Sequence, residues 1–286
     1  MGHDKIALIT GGTEGIGKAT ALGLAQKGYT VIIHGRNERK ARVTQQEIIQ
    51  ATGNKNVDIV FADFSSLKEV KELAIFIESK YPHIDVLINN AGVFTSERAL
   101  SKDGFELTLA VNHLAHFLLT NLLLDTLKKA SAARIVVLTS SLYTGGKPDW
   151  NDFQFTKKFD SFGVYNTTKL YNLYFALELS ERLKNTSITV NALHPGVVST
   201  QLARDTKGFQ KFLFSILTKY VFVSPEKGAA TSLYVATSPE LEKVTGKYFE
   251  SQKQVPIKGI GNDVNNRSQL WKISKDLIKG FLPVTV

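Results

Sequence analysis

The chain has 286 residues, 43% of them hydrophobic and 21% charged. This is a globular composition, long enough to bury a core without disulfide or metal staples. Cysteine is absent, which excludes disulfides, thiolate nucleophiles, zinc ribbons and iron–sulfur clusters. The 35 basic residues exceed the 26 acidic ones, giving a formal charge of +9, but no block of five or six like charges occurs. The excess reads as scattered surface lysine, and no nucleic-acid partner is expected.

In chain order, the first apolar run, within 5–10, is too short for a signal peptide or a spanning helix. No integral membrane segment and a cytoplasmic location are expected. Near-continuous β-branched runs follow at 30–34, 57–61, 84–88, 134–139 and 187–193, the pattern of strands covered on both faces. Helical periodicity occupies about 15–28, 37–52, 65–80, 101–129, 163–184, 199–219 and 225–237. The alternation predicts one α/β domain: a doubly wound parallel sheet of about seven strands, flanked by helices on both faces. Ligands of such sheets lie at the carboxyl ends of the strands. Local signals agree. Ser66 and Glu69 have capping-box spacing, Ser224-Pro225 opens a helix, and Gly28 and Gly53 close two others.

The first strand runs into Thr10-Gly11-Gly12-Thr13-Glu14-Gly15-Ile16-Gly17 and then a helix. Glycines there let backbone N–H groups and a helix N-terminus approach a pyrophosphate. A plain turn is the alternative, and the spacing is not that of the commoner dinucleotide fingerprint. The second strand ends in His34-Gly35-Arg36-Asn37, with no acid at its tip. An acid there would hold a ribose 2′-hydroxyl, whereas a guanidinium pairs with a 2′-phosphate. Arg36 therefore favours NADP(H), with NAD(H) possible; the alternative is a surface arginine that starts a helix.

Further motifs follow in order: Asp63, Asn89-Asn90-Ala91-Gly92, Asn112, Thr139-Ser140-Ser141, Tyr165-Asn166-Thr167-Thr168-Lys169 and Pro195-Gly196. With them the chain resembles the short-chain dehydrogenase/reductase family over roughly residues 5–250, which implies a Rossmann-type fold. Two Tyr-x-x-x-Lys pairs are present. Tyr143…Lys147 spans two glycines that hold a helix poorly, whereas Tyr165 and Lys169 share one helix face. The resemblance makes Tyr165 the general acid/base, its phenolate favoured by the Lys169 ammonium. Lys169 also bonds the nicotinamide ribose, Ser141 holds the substrate oxygen, and Asn112 anchors a water leading to Lys169. It also implies cofactor contacts from Gly11, Thr13, Glu14, Gly15, Ile16, Gly17, Arg36, Asn37, Asp63, Phe64, Asn90, Ala91, Gly92, Thr139, Pro195, Gly196, Val198 and Thr200. Glu14 is a departure, because NADP-preferring relatives often carry a cation there and a carboxylate could repel the 2′-phosphate.

The 23 residues between Ser141 and Tyr165, with Trp150-Asn151-Asp152-Phe153, and the run His194-Pro195-Gly196-Val197-Val198-Ser199-Thr200 resemble the retinol-dehydrogenase-like branch. An apolar alcohol or carbonyl substrate is implied: a retinoid, steroid, lipid aldehyde or xenobiotic ketone. A greasy lid is expected at 199–224. A homodimer or homotetramer fits the family. The six histidines look incidental and no metal is expected. The competing reading is a catalytically weak NADP(H)-sensing protein that acts through a protein partner. The segment 252–286 carries no assignment.

Overall fold

A computed structural model describes residues 5–196 and 224–282. Among them, one sheet of eight strands has the spatial order β3-β2-β1-β4-β5-β6-β7-β8. Its members are β1 (Ile6–Ile9), β2 (Thr30–Gly35), β3 (Val57–Phe61), β4 (Val86–Asn89), β5 (Arg134–Leu138), β6 (Thr189–His194), β7 (Tyr248–Glu250) and β8 (Lys253–Val255). All pairs are parallel except β7–β8. The order reverses between β1 and β4, which opens a crevice at their carboxyl ends.

The helices are α1 (Gly15–Gln26), α2 (Glu38–Thr52), α3 (Leu67–Lys80), α4 (Leu107–Leu109), α5 (Ala115–Leu122), α6 (Leu124–Lys128), α7 (Ser161–Arg182), α8 (Pro225–Thr237) and α9 (Val264–Leu277). Alternate strand residues feed two cores. Leu8, Ile32, Leu87, Ile135 and Val137 pack beneath α3, α5 and α7. Ala7, Ile9, Val31, Ile33, Ile88 and Val136 pack on the other face, with Leu24 of α1 and Val235 of α8. Two-sided burial explains why these strands read as unbroken apolar runs. The expected caps form: Ser66 accepts from Glu69 N, Ser224 accepts from Lys227 N, and Gly53 takes φ 73° at the end of α2.

Two expectations need correction. The sheet has eight strands, because the three-residue β7 and β8 are too short to show as apolar runs. The expected helix 101–129 begins only at Leu107, contains a π-turn over Ala110–Leu114, and breaks at Leu123. The unassigned tail forms β8 and α9, and α9 packs on α7: Trp271 lies edge-on to Phe117 at 4.9 Å and beneath the Arg182 guanidinium at 4.3 Å. The expected lid lies outside the described residues apart from Ser224.

The segment between Ser141 and Tyr165 also lies over α7. Phe153 stacks on Tyr171 at 5.3 Å, and Trp150 stacks on Tyr171 while donating from Nε1 to Asn266 of α9. Helix α7 is consequently buried on nearly every side. Trp271→Ala should lower the unfolding free energy by about 2–3 kcal/mol in urea melts. A loss below about 0.5 kcal/mol would mean α9 contributes nothing to the fold.

Candidate active site

The crevice is organised around one hydroxyl. Thr10, at the end of β1, is 0% exposed, and its Oγ1 accepts from the backbone N–H of Asn90 at 2.8 Å and of Ala91 at 2.9 Å. His116 Nε2 lies 2.9 Å from the same oxygen, and its Nδ1 lies 3.0 Å from the Asn112 carbonyl. A carbonyl only accepts, so Nδ1 carries the proton and Nε2 accepts from Thr10. Burial pushes this imidazole down to about 3, so it stays neutral. The Asn90 amide donates to the carbonyls of Thr10 and Gly11. One network thus ties β1, the turn after β4 and the π-turn of Asn112.

The glycine turn is built for close approach. Gly11 has φ +62°, and a Cβ on Gly17 would stand 2.2 Å from the Gly11 carbonyl oxygen. Only glycine fits there. The turn is held from below by His34: its Nε2 donates to the Ala62 carbonyl at 3.0 Å, and its Nδ1 accepts from Gly11 N at 3.3 Å. Burial lowers His34 to about 4, which keeps Nδ1 free to accept. The first turn of α1 has no side-chain cap, because Glu14 occupies the cap position and pairs instead with Lys40. Uncapped N–H groups beside a cradle that a Cβ would fill suit an anionic pyrophosphate.

The other expected cofactor residues are distributed as follows. Arg36 is exposed at the end of β2. Asn37 uses its side chain to cap α2, accepting from Lys40 N at 2.9 Å. Asp63 accepts from Ser65 N and pairs with Lys102 at 3.1 Å. These hydrogen bonds outweigh burial and hold its carboxyl below the usual range. Phe64 is 4% exposed and stacks on His34 at 4.2 Å, so its ring belongs to the core. Thr139 is buried, with its N–H donated to the Leu193 carbonyl. Pro195 and Gly196 follow β6, while Val198 and Thr200 lie outside the described residues.

Tyr165 and Lys169 lie one turn apart on α7, with Lys169 Nζ 5.5 Å from the Tyr165 ring centre. Lys169 is 5% exposed, and its Nζ lies 3.6 Å from where a Cβ on Gly92 would stand. Asn112 Oδ1 accepts from Val93 N at 2.7 Å, and its amide donates to the Val93 carbonyl and to Thr168. The side chain therefore braces α7 against the turn after β4. Ser140 is buried and caps the following turn by accepting from Leu142 N; Ser141 beside it is half-buried. The rival Tyr143 is 2% exposed, and its hydroxyl accepts from Lys258 N, which fixes it structurally.

Burial pushes the Tyr165 phenol up to about 12 and the Lys169 ammonium down to about 8. The sequence leads one to expect a lysine-stabilised phenolate, but in the protein alone burial dominates both groups. Two histidines that look incidental in the sequence, His34 and His116, are structural pins of the site. The spacing of His116 four residues beyond Asn112 was the available signal. Among the described residues, no group of three His, Cys, Asp or Glu could hold a metal. No helix among them is long and apolar enough to cross a membrane.

Comparison with known proteins agrees with this geometry. The family described as short chain dehydrogenase matches residues 5–210. The chain is 40% identical over 280 residues to Retinol dehydrogenase 13 of Homo sapiens, covering 96% of this chain and 84% of the relative. It is 38% identical to Retinol dehydrogenase 14 of Mus musculus (96% and 86% covered) and 34% identical to human Polyprenol dehydrogenase (99% and 87% covered). A short chain dehydrogenase structure from Escherichia coli CFT073, complexed with NADPH, superposes with a TM-score of 0.68 at 26% identity, covering 87% of this chain and 97% of that one. The chain belongs to the short-chain dehydrogenase family, in its retinol-dehydrogenase-like branch. It is an oxidoreductase of alcohol and carbonyl groups.

The Lys169 shift has a consequence for stability. Below pH 8 the folded protein carries a buried ammonium at a cost; that cost fades between pH 8 and 10.5, where the folded lysine becomes neutral before the unfolded one. Lys169→Met should therefore be more stable than wild type at pH 7, by about 2 kcal/mol, with the gap shrinking towards pH 10. Urea melts at both pH values check this; a gap that is absent or constant would contradict it.

Proposed function

We propose that the protein is an NADP(H)-dependent dehydrogenase/reductase of an apolar alcohol–carbonyl pair, with Tyr165 as acid/base. The observation that carries this reading is the placement of Tyr165 and Lys169 on one face of α7, with Lys169 Nζ against Gly92. The residues that would hold the dinucleotide are the turn from Gly11 to Gly17, Arg36, and the turn from Asn90 to Gly92. When bound, the nicotinamide supplies or accepts the hydride.

The chain's own groups handle the proton and the substrate oxygen. A phenol held up to about 12 is protonated at neutral pH, as a general acid for carbonyl reduction must be. In the oxidation direction Tyr165 has to take a proton, and the adjacent lysine charge favours its phenolate. Lys169, lowered to about 8, remains mostly charged at neutral pH yet is within range of proton exchange. The Ser141 hydroxyl donates to the substrate oxygen and stabilises its developing charge. Ser140 is the poorer choice because it is buried, whereas Ser141 is half-buried.

The apolar substrate class rests on the surface beside Tyr165. Phe94 stands edge-on to the Tyr165 ring at 5.8 Å and against Phe162 at 5.1 Å. Leu142 is 46% exposed and Phe162 38% exposed. Apolar side chains left open next to polar catalytic groups are the usual lining of a small-molecule site. Two of the similar proteins are named for retinol and polyprenol, both long isoprenoid alcohols. An isoprenoid alcohol or its aldehyde is the proposed substrate.

Tyr165→Phe should reduce NADPH-dependent turnover of retinal by at least about a thousandfold, while the Kd for NADP+ by calorimetry stays within twofold. Turnover retained in this variant would remove Tyr165 from the proposed role.

A further inference from the structure

The charges at the adenosine corner pair in a way that settles what Glu14 does there. The carboxylates around the carboxyl end of β2 each meet a cation, with Lys102 shared between Asp63 and Glu69. Glu38 is taken by Arg42 at 2.6 Å, Glu47 by Lys18 at 2.6 Å, and Asp63 by Lys102 at 3.1 Å. Glu14 is taken by Lys40, in the first turn of α2. Arg36 and Arg39 are exposed, and neither makes an ion pair among the described residues. The corner therefore presents unpaired guanidinium charge and no unpaired carboxylate.

The Glu14–Lys40 contact is positioned by the backbone on both sides. Lys40 N is bonded to the Asn37 side chain, which fixes the first turn of α2. Thr44, four residues further along α2, donates from Oγ1 to the Thr13 carbonyl at 3.0 Å. A Cβ on Gly35 would stand 2.5 Å from Thr13 Cγ2, so the end of β2 and the glycine turn are in close contact. Two contacts thus hold Thr13 against the β2–α2 corner, where Glu14 meets Lys40.

We propose that Lys40 is a specificity-determining residue: by pairing Glu14 it neutralises a carboxylate of the glycine turn that would oppose a 2′-phosphate beside Arg36, and so sets the preference for NADP(H) over NAD(H). This rests on the NADP(H) reading given above. A free carboxylate at Glu14 repels a phosphate dianion and leaves the 2′-hydroxyl of NAD(H) unaffected. The discrimination is therefore a property of the pair as well as of Arg36.

The test is titration calorimetry of the whole chain with NADP+ and with NAD+, at low and equal ionic strength, so that no turnover is read. Lys40→Ala should weaken NADP+ binding by about tenfold or more and NAD+ binding by less than twofold. The double variant Glu14→Gln/Lys40→Ala should recover NADP+ affinity to within about threefold of wild type. NAD+ affinity serves as the control for folding in each variant. An unchanged NADP+/NAD+ ratio in Lys40→Ala, with wild type preferring NADP+, would overturn this inference alone. A double variant as weak for NADP+ as Lys40→Ala would also overturn it, since Lys40 would then act directly on the ligand. A wild type that prefers NAD+ would overturn both this inference and the cofactor reading beneath it.

Discussion

The site depends on a single buried oxygen. Thr10 Oγ1 sits where the strand order reverses, accepts from two N–H groups of the turn after β4, and donates to His116. Without such an acceptor, two backbone N–H groups at the base of the crevice would lose their partner, at a cost of about 1–3 kcal/mol each. Through His116 the same oxygen reaches the Asn112 carbonyl in the π-turn, and Asn112 in turn braces Val93 and Thr168 of α7. The glycine turn and the helix bearing Tyr165 and Lys169 are therefore parts of one hydrogen-bonded unit.

The second constraint is desolvation. The segment after Ser141 and helix α9 cover α7 with stacked aromatic rings, and Lys169 ends up 5% exposed with its ammonium pushed down to about 8. Burial also holds Tyr165 in its acid form. A helix with this much apolar cover is stable enough to carry an ammonium that is costly to bury. The same cover makes electrostatic effects inside the site stronger than in water.

Much of this was legible in the sequence, for identifiable reasons. Strands β1, β2, β4, β5 and β6 showed as apolar runs because both faces are buried, and the glycine turn showed because close backbone packing leaves no room for a Cβ. The choice of Tyr165 over Tyr143 followed from the glycines after Tyr143, and the structure gives Tyr143 a purely structural bond. Other features were hidden. The π-turn was invisible because Ala110-Val111-Asn112-His113-Leu114 reads as ordinary helix. The role of His34 depends on Ala62 and Gly11, far away in sequence, so no local pattern could reveal it. The stacking of Phe64 on His34 was hidden for the same reason. The pairing of Glu14 was hidden because its partner, Lys40, lies 26 residues away.

The most direct test of the linked site is Thr10→Val, which keeps the shape of the side chain and deletes its hydroxyl. Measured together by urea melts and NADP+ calorimetry, this variant should lose about 2–3 kcal/mol of stability and bind NADP+ at least about tenfold more weakly, with Thr10→Ser restoring both. Wild-type stability and NADP+ affinity in Thr10→Val would contradict the account, because the glycine turn and the helix bearing Tyr165 and Lys169 would then stand without the oxygen said to join them.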